Sequence, residues 1–188
     1  MIVGSELCFR DRHLPSYFGL DYGYVNDPSA FIHCKIDAKS KRLYIIEEYV
    51  KTGMLNDEIA EVIKRLGYSK EEIFADSAEQ KSIAEMRKLG IERIKPAQKG
   101  KGSIMQGLQF LMQFDIVIDE RCFKTIEEFD NYTWKKDKNT DEYMNEPVDT
   151  YNHCIDSLRY SCSKFYKQKP KKKSPLKKSI NTIKSMGL

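Results

Sequence analysis

Tyr17-Phe18-Gly19-Leu20-Asp21-Tyr22-Gly23 decides how the fold is read. It is a short apolar run that ends on a carboxylate and a glycine, the pattern of a strand delivering an acid to its carboxyl end. Asn26-Asp27-Pro28-Ser29 follows as a turn cluster. Residues 30–36 read as a second strand, 37–41 as a polar turn, and 43–49, rich in Tyr, Ile and Val, as a third. Short polar connections make these an antiparallel three-strand meander. After Gly53 the apolar period changes. Leu55, Ile59, Val62, Ile63 and Leu66 fall at helical spacing, and Gly67 stops the helix. Ile73-Phe74-Ala75 is a short strand ending at Asp76. Ile83, Met86 and Leu89 mark a helix closed by Gly90, and 91–94 reads as a strand. Ile104, Leu108, Leu111 and Met112 mark the next helix, 116–118 a strand, and Ile126 and Phe129 another helix. Residues 132–147 read as a polar hairpin or loop, and Tyr151 to Cys162 as a final helix. A meander followed by alternating helices and strands implies an α/β fold. Its mixed sheet joins the antiparallel meander to parallel strands, flanked by helices. Residues 1–16 show no period and read as a linker remnant before a body at 17–163.

Charge is unevenly spread. The 188 residues carry 32 Lys+Arg against 28 Asp+Glu, a formal +4. Residues 164–188 hold nine Lys and no acid, which leaves 23 bases against 28 acids in the rest, a net of −5. The body is acidic and the tail basic. Within the tail, Ser174-Pro175 offers a cap and a first helical position, and Leu176, Ile180 and Ile183 follow at i, i+4, i+7. A short amphipathic helix is expected over 175–186, marginal by itself. No apolar run is long enough to span a membrane, and the first residues lack the apolar core of a signal peptide. The five cysteines contain no C-x-x-C pair, so reduced thiols are expected rather than a disulfide framework or a structural zinc site.

Three acids stand at suggestive places. Asp21 and Asp76 each end a strand, and ligands of open α/β sheets bind beyond the strand carboxyl ends. Asp156 lies on the final helix, one face with His153 at i, i+3, and Asp149 precedes His153 by four residues. Carboxylates converging on one crevice repel, and a divalent cation relieves the repulsion. Oxygen donors suit Mg²⁺ or Mn²⁺, and an imidazole tilts the choice toward Mn²⁺. Spacing alone leaves two readings open: a metal-dependent hydrolase, and an α/β domain whose acids are turn and cap residues.

Longer motifs narrow the choice. Gly19-Leu20-Asp21-Tyr22-Gly23 with Asp27-Pro28-Ser29-Ala30 is one. Ala75-Asp76-Ser77-Ala78-Glu79 and Lys99-Gly100-Lys101-Gly102-Ser103-Ile104 are two more. The last is Asn145-Glu146-Pro147-Val148-Asp149 with Asn152-His153-Cys154-Ile155-Asp156-Ser157-Leu158-Arg159-Tyr160. In this order and spacing they resemble the nuclease domain of the large terminase subunit of tailed bacteriophages, over roughly residues 17–163. The resemblance implies an RNase H-like fold and metal-dependent endonuclease activity on double-stranded concatemeric viral DNA. It implies an acidic triad of Asp21, Asp76 and Asp156, with His153 beside it, as ligands of two Mn²⁺ or Mg²⁺ ions. The helix Glu that completes the site of ribonuclease H proper has no clear equivalent, which argues against an RNA–DNA hybrid substrate. The family joins this domain to an amino-terminal ATPase motor. Gly100-Lys101-Gly102-Ser103 does not meet the G-x-x-x-x-G-K-[ST] pattern of such a motor, so the chain is expected to be the carboxyl-terminal part of a longer protein. The small terminase subunit and the portal are implied partners, and the cytoplasm of the infected bacterial host the implied location.

An acidic centre needs help to hold a polyanion. Lys95, Lys99 and Lys101 lie in or beside a glycine-containing loop suited to phosphates. Lys135 and Lys136, in the 132–147 hairpin, are candidate DNA contacts. The alternative there is a surface hairpin with Trp134 packed at its root. The lysine-rich tail suits salt-dependent DNA binding, portal docking or a solvated linker. Two other functions stay open: another RNase H-like nuclease such as a junction resolvase, and a non-catalytic docking module.

Overall fold

A computed structural model describes residues 2–4 and 13–165. Alternation along the meander sorts the core into two layers. On β2 (Ser16–Asp21), Phe18 and Leu20 turn to one face, and Tyr17, Gly19 and Asp21 to the other. On β3 (Pro28–Asp37), Phe31 joins Phe18, while Ala30, Ile32, Cys34 and Ile36 join the second layer. The first layer is closed by α1 (Asn56–Arg65) and α2 (Gln80–Lys88), through Ile59, Ala60, Val62, Ile63, Ile83 and Met86. The second is closed by α3 (Ser103–Leu111), α4 (Phe123–Asn131) and α5 (His153–Ser161). Leu158 of α5 is fully buried, and burial of such a side chain contributes about 1.5–3 kcal/mol.

Four further strands widen the meander, whose third member is β4 (Arg42–Thr52). They are β5 (Ile73–Ala75), β6 (Ile94–Pro96), β7 (Asp115–Asp119) and β1 (Ile2–Gly4), and the sheet order is β1-β7-β4-β3-β2-β5-β6. Only β3 runs against its neighbours; every other pairing in this sheet is parallel. The mixed sheet flanked by helices is therefore the architecture that the sequence implies.

Two boundaries differ from expectation. Ile2–Gly4, within the stretch read as a linker remnant, pairs parallel to β7 as the sheet's outer strand. Three residues are too few to show a period. The strand expected at 91–94 lies at Ile94–Pro96 instead. Ile91 is apolar because it closes α2. Gly90 has φ +89°, its N–H donates to Arg87 O, and Ile91 N–H reaches back to Met86 O. That is a left-handed helix end sealed by an apolar residue, and Ile91 is buried.

The 132–147 segment forms a separate ribbon of β8 (Trp134–Lys136) and β9 (Tyr143–Pro147). Trp134 and Pro147 line an apolar cavity of about 300 Å³ shared with Leu111, Phe129 and Tyr132, so the tryptophan packs at the ribbon's root. Cys34, Cys122, Cys154 and Cys162 are buried thiols. Among the described residues, no helix is long and apolar enough to cross a membrane. The basic tail with its expected helix at 175–186 lies outside the described residues, as does Cys8.

Candidate active site

β2 and β5 bring two of the acids together. Leu20 pairs with Ala75 in parallel register, and the Asp76 N–H donates to Leu20 O at 3.1 Å. Leu20 and Ala75 both turn into the first core layer. Their successors, Asp21 and Asp76, therefore emerge side by side toward the opposite layer, beyond the carboxyl ends of adjacent strands. Asp76 Oδ1 also accepts the Ala78 N–H at 2.8 Å, which folds the chain into a turn. The cap position of α2 falls later, at Glu79.

The third acid comes from α5, which crosses β2 at close range. Gly19 permits this: a Cβ there would lie 1.8 Å from the Ser157 carbonyl oxygen. Residue 21 lies about 6.6 Å along the strand from residue 19, and residue 153 about 6 Å along the helix from residue 157. The same crossing therefore sets His153 over Asp21. Its Nδ1 lies 3.1 Å from Asp21 Oδ2, and its Nε2 lies 3.7 Å from Asp27 Oδ1. Asp27 is delivered by the turn before β3, where the Ser29 hydroxyl donates to Gly23 O and accepts the Gly23 N–H. Asp156, one turn beyond His153, accepts from Arg159 Nε and Nη2 at 3.0 and 2.6 Å.

The electrostatics follow from this crowding. Burial, above all, lifts the Asp21 carboxyl from 3.8 to about 6; the His153 bond pulls it down, and Asp156 and Asp76 push it up. The bond to Asp21 raises His153 against the cost of its burial. Tyr160 is pushed far above its ordinary range, by burial first and then by Asp21, Asp156 and Asp76. All three acids thus act on one phenol, as members of a single cluster.

Each carboxylate has a partner within the chain: Asp21 has His153, which carries charge only when protonated, Asp156 has Arg159, and Asp76 has Lys99 at 2.5 Å. Among the described residues, no three His, Cys, Asp or Glu side chains stand close enough to cage one ion. Asp156 and Asp76 are paired with separate cations, Arg159 and Lys99. The donor set, three carboxylates and an imidazole, still suits a hard divalent cation.

The expected DNA-contacting lysines scatter. Lys99 joins the cluster and also sits over the Tyr160 ring, 5.7 Å from its centroid. Lys101 is exposed in the turn before α3. Lys95 pairs with Glu72, at the other end of β5 from Asp76. On the ribbon, Lys135 pairs with Glu146 and Asp149, and Lys136 with Asp141. Asp149 thus belongs to the ribbon's ion pairs and precedes the helix rather than lying on it. Arg159 and Asp27 were not singled out from the sequence. Both stand in the quoted motifs without an assigned role; Arg159 also has its i, i+3 spacing from Asp156, and Asp27 its place in a turn.

A mixed sheet with acids at two neighbouring parallel strand ends, and a third on the helix crossing them, is an RNase H-like arrangement. Residues 21–164 match the family described as the terminase RNase H-like domain, and the chain belongs to that family. It is 36% identical over 153 residues to the large terminase subunit of Bacillus phage SPP1, covering 80% of this chain and 36% of that protein. The PBSX phage terminase large subunit of Bacillus subtilis (strain 168) is 32% identical over 152 residues, covering 78% and 34%. The chain thus spans about a third of the length of these curated relatives. The SPP1 large terminase nuclease domain, crystallised with bound Mn, superposes with a TM-score of 0.80 at 31% identity, covering 87% of this chain and 96% of that one. The large terminase of the thermophilic bacteriophage D6E shares the fold at TM-score 0.68 and 20% identity, covering 88% and 43%.

Proposed function

We propose that this chain is a divalent-metal-dependent endonuclease that cuts double-stranded viral DNA during genome packaging, in the cytoplasm of an infected bacterium. The observation that supports the proposal is that Asp21 and Asp76 follow adjacent parallel strands, with His153 of α5 bonded to Asp21, and Asp156 and Asp76 both acting on the charge of Asp21. In the longer protein it would act beside an ATPase domain, with the small terminase subunit and the portal as partners.

Asp21, Asp76, Asp156 and His153 would hold two Mn²⁺ or Mg²⁺ ions. Such ions, when bound, supply a lowered pKa for water and a positive charge for the attacking and leaving oxygens of a phosphodiester. The chain's own residues do the rest. His153, held between Asp21 and Asp27, fixes the rotation of the Asp21 carboxylate. Arg159 fixes the orientation of the half-buried Asp156 carboxylate through two hydrogen bonds to Oδ1. Lys99, on a glycine-flanked loop, brings an ammonium to the edge where a phosphate would enter, and exchanges Asp76 for that phosphate. Cutting is expected to show low sequence preference.

Supercoiled plasmid incubated with the protein and Mn²⁺, Mg²⁺ or EDTA tests the reading. Nicking and linearisation with the ions, and none with EDTA, are expected. Asp21→Asn and Asp156→Asn should lower the rate at least about a hundredfold, while circular dichroism and duplex binding stay close to wild type. Full activity in folded Asp21→Asn would overturn the assignment. Cleavage of branched but not linear duplex would favour a junction resolvase. Intact plasmid with every ion would favour a docking module, which the self-supplied counter-charges also suit.

A further inference from the structure

The amino end of α5 carries His153 and Asp156, yet its own cap position does no capping. Asn152 is a residue type that caps helices well. Here its side chain makes no cap bond, and its Oδ1 is buried without a hydrogen-bond partner. The first free amides of the helix turn to another element instead. Glu128 Oε2, from α4, accepts the Cys154 N–H at 2.8 Å and the Ile155 N–H at 3.1 Å. These two amides lie between the two site residues. Glu128 is only 7% exposed, and a carboxylate at a helix amino terminus gains from both the charge-assisted bonds and the helix dipole.

α4 is held in the same manner. Cys122 at its cap position makes no side-chain cap bond. Glu48, from β4 in the central sheet, accepts the Lys124 and Thr125 N–H groups at 2.9 and 2.7 Å and the Thr125 hydroxyl at 2.6 Å. Two carboxylate caps therefore run in series, from sheet to α4 and from α4 to α5. A cap supplied by another element fixes what a local cap leaves free: the axial position and rotation of the helix relative to the sheet.

We infer that Glu128 is a positioning residue of the nuclease centre, capping α5 from outside so that His153 and Asp156 meet Asp21 and Asp76, with Glu48 holding the helix that carries it. The inference rests on the nuclease reading above. Glu128 holds α5 by its backbone amides, and its charge also reaches His153 and favours the protonated ring. Groups that orient the ligands of a metal centre are commonly worth ten- to a hundredfold in activity or metal affinity.

The test uses the full 188-residue chain and plasmid cleavage at varied Mn²⁺ and DNA concentrations, each variant assayed well below its melting midpoint. Glu128→Ala should lower kcat at least about tenfold and raise the Mn²⁺ needed for half-maximal cleavage by about tenfold, with KM for DNA unchanged. Glu128→Gln keeps an acceptor oxygen and should fall between Glu128→Ala and wild type. Faster hydrogen exchange at the Cys154 and Ile155 amides should accompany the loss. A merely structural role would lower the melting midpoint and leave the kcat and Mn²⁺ dependence of the folded protein at wild-type values, and that result overturns the inference. Wild-type protein inert with every divalent ion would overturn the nuclease reading and this role with it. Active wild type with equally active Glu128→Ala overturns the positioning role alone.

Discussion

Two histidines in this chain experience opposite environments. His153 is raised because Asp21 bonds it. His33 is lowered from 6.5 to about 4, by burial first and by Lys35 second. Its ring lies 3.0 Å from the Ser16 hydroxyl and 3.2 Å from the Tyr68 hydroxyl, stacked on Phe18. A depressed histidine binds its proton in the unfolded chain before the folded one. Its contribution is present above pH 6.5 and is lost as pH falls toward about 4. Asp21 works the other way: raised to about 6, it favours the folded state at low pH, and that benefit disappears as pH rises from 3.8 through about 6. In metal-free buffer the two act in opposite directions. Removing the histidine's titration exposes the difference. Against His33→Gln, wild type should gain stability by up to about 1.4 kcal/mol per pH unit between about pH 4 and 6.5. Urea unfolding at stepped pH measures it, and parallel profiles for the two proteins would contradict the burial argument.

At the scale of elements, the contact that matters most is α5 lying on β2. Gly19 has no Cβ to separate them, so Gly19→Ala must push the Ser157 carbonyl away. Overpacking of this kind should cost about 2 kcal/mol or more. It should also carry His153 and Asp156 off Asp21 and Asp76, so cleavage by the folded variant falls with metal affinity. Urea unfolding and plasmid nicking on the same preparation check both, and wild-type stability would refute the close approach. Gly19 also shows how far the sequence could be read. The strand ends at Asp21 and Asp76 were visible as apolar runs meeting acids. What covers the face of Gly19 was not visible. Glu128 and Glu48 cap helices 26 and 76 residues away along the chain, and no local pattern announces such a partner. Asn152 gave the reverse signal: its residue type suits a cap that it does not make. Ile91 misled for a related reason, since an apolar residue sealing a helix end and one opening a strand look alike in sequence.

For the whole molecule, the question is how an acidic body approaches DNA. The ribbon lysines are neutralised by their own neighbours, Lys135 by Glu146 and Asp149, and Lys136 by Asp141. Lys95 is paired with Glu72. Exposed pairs of this kind are weak, about 0–1 kcal/mol, so phosphates can take these lysines, but each exchange also frees an acid near the duplex. The sequence from 166 to 188 carries eight lysines and no acid at all. Its charges compete with nothing in their own segment, so the tail is expected to supply much of the affinity for duplex DNA, and none of the chemistry. Each phosphate neutralised adds about 0.9 to the slope of log affinity against log salt. A chain ending at Phe165 should therefore show a slope shallower by several, at most about seven if all eight lysines engage. Its KM for DNA should rise at low salt, and its kcat at saturating DNA should match the full chain. Fluorescence anisotropy on a short duplex in EDTA, repeated across salt concentrations, gives the slopes. An unchanged slope would assign the binding charge to the body, with Lys99 and Lys101 beside the acidic crevice as the lysines to test next.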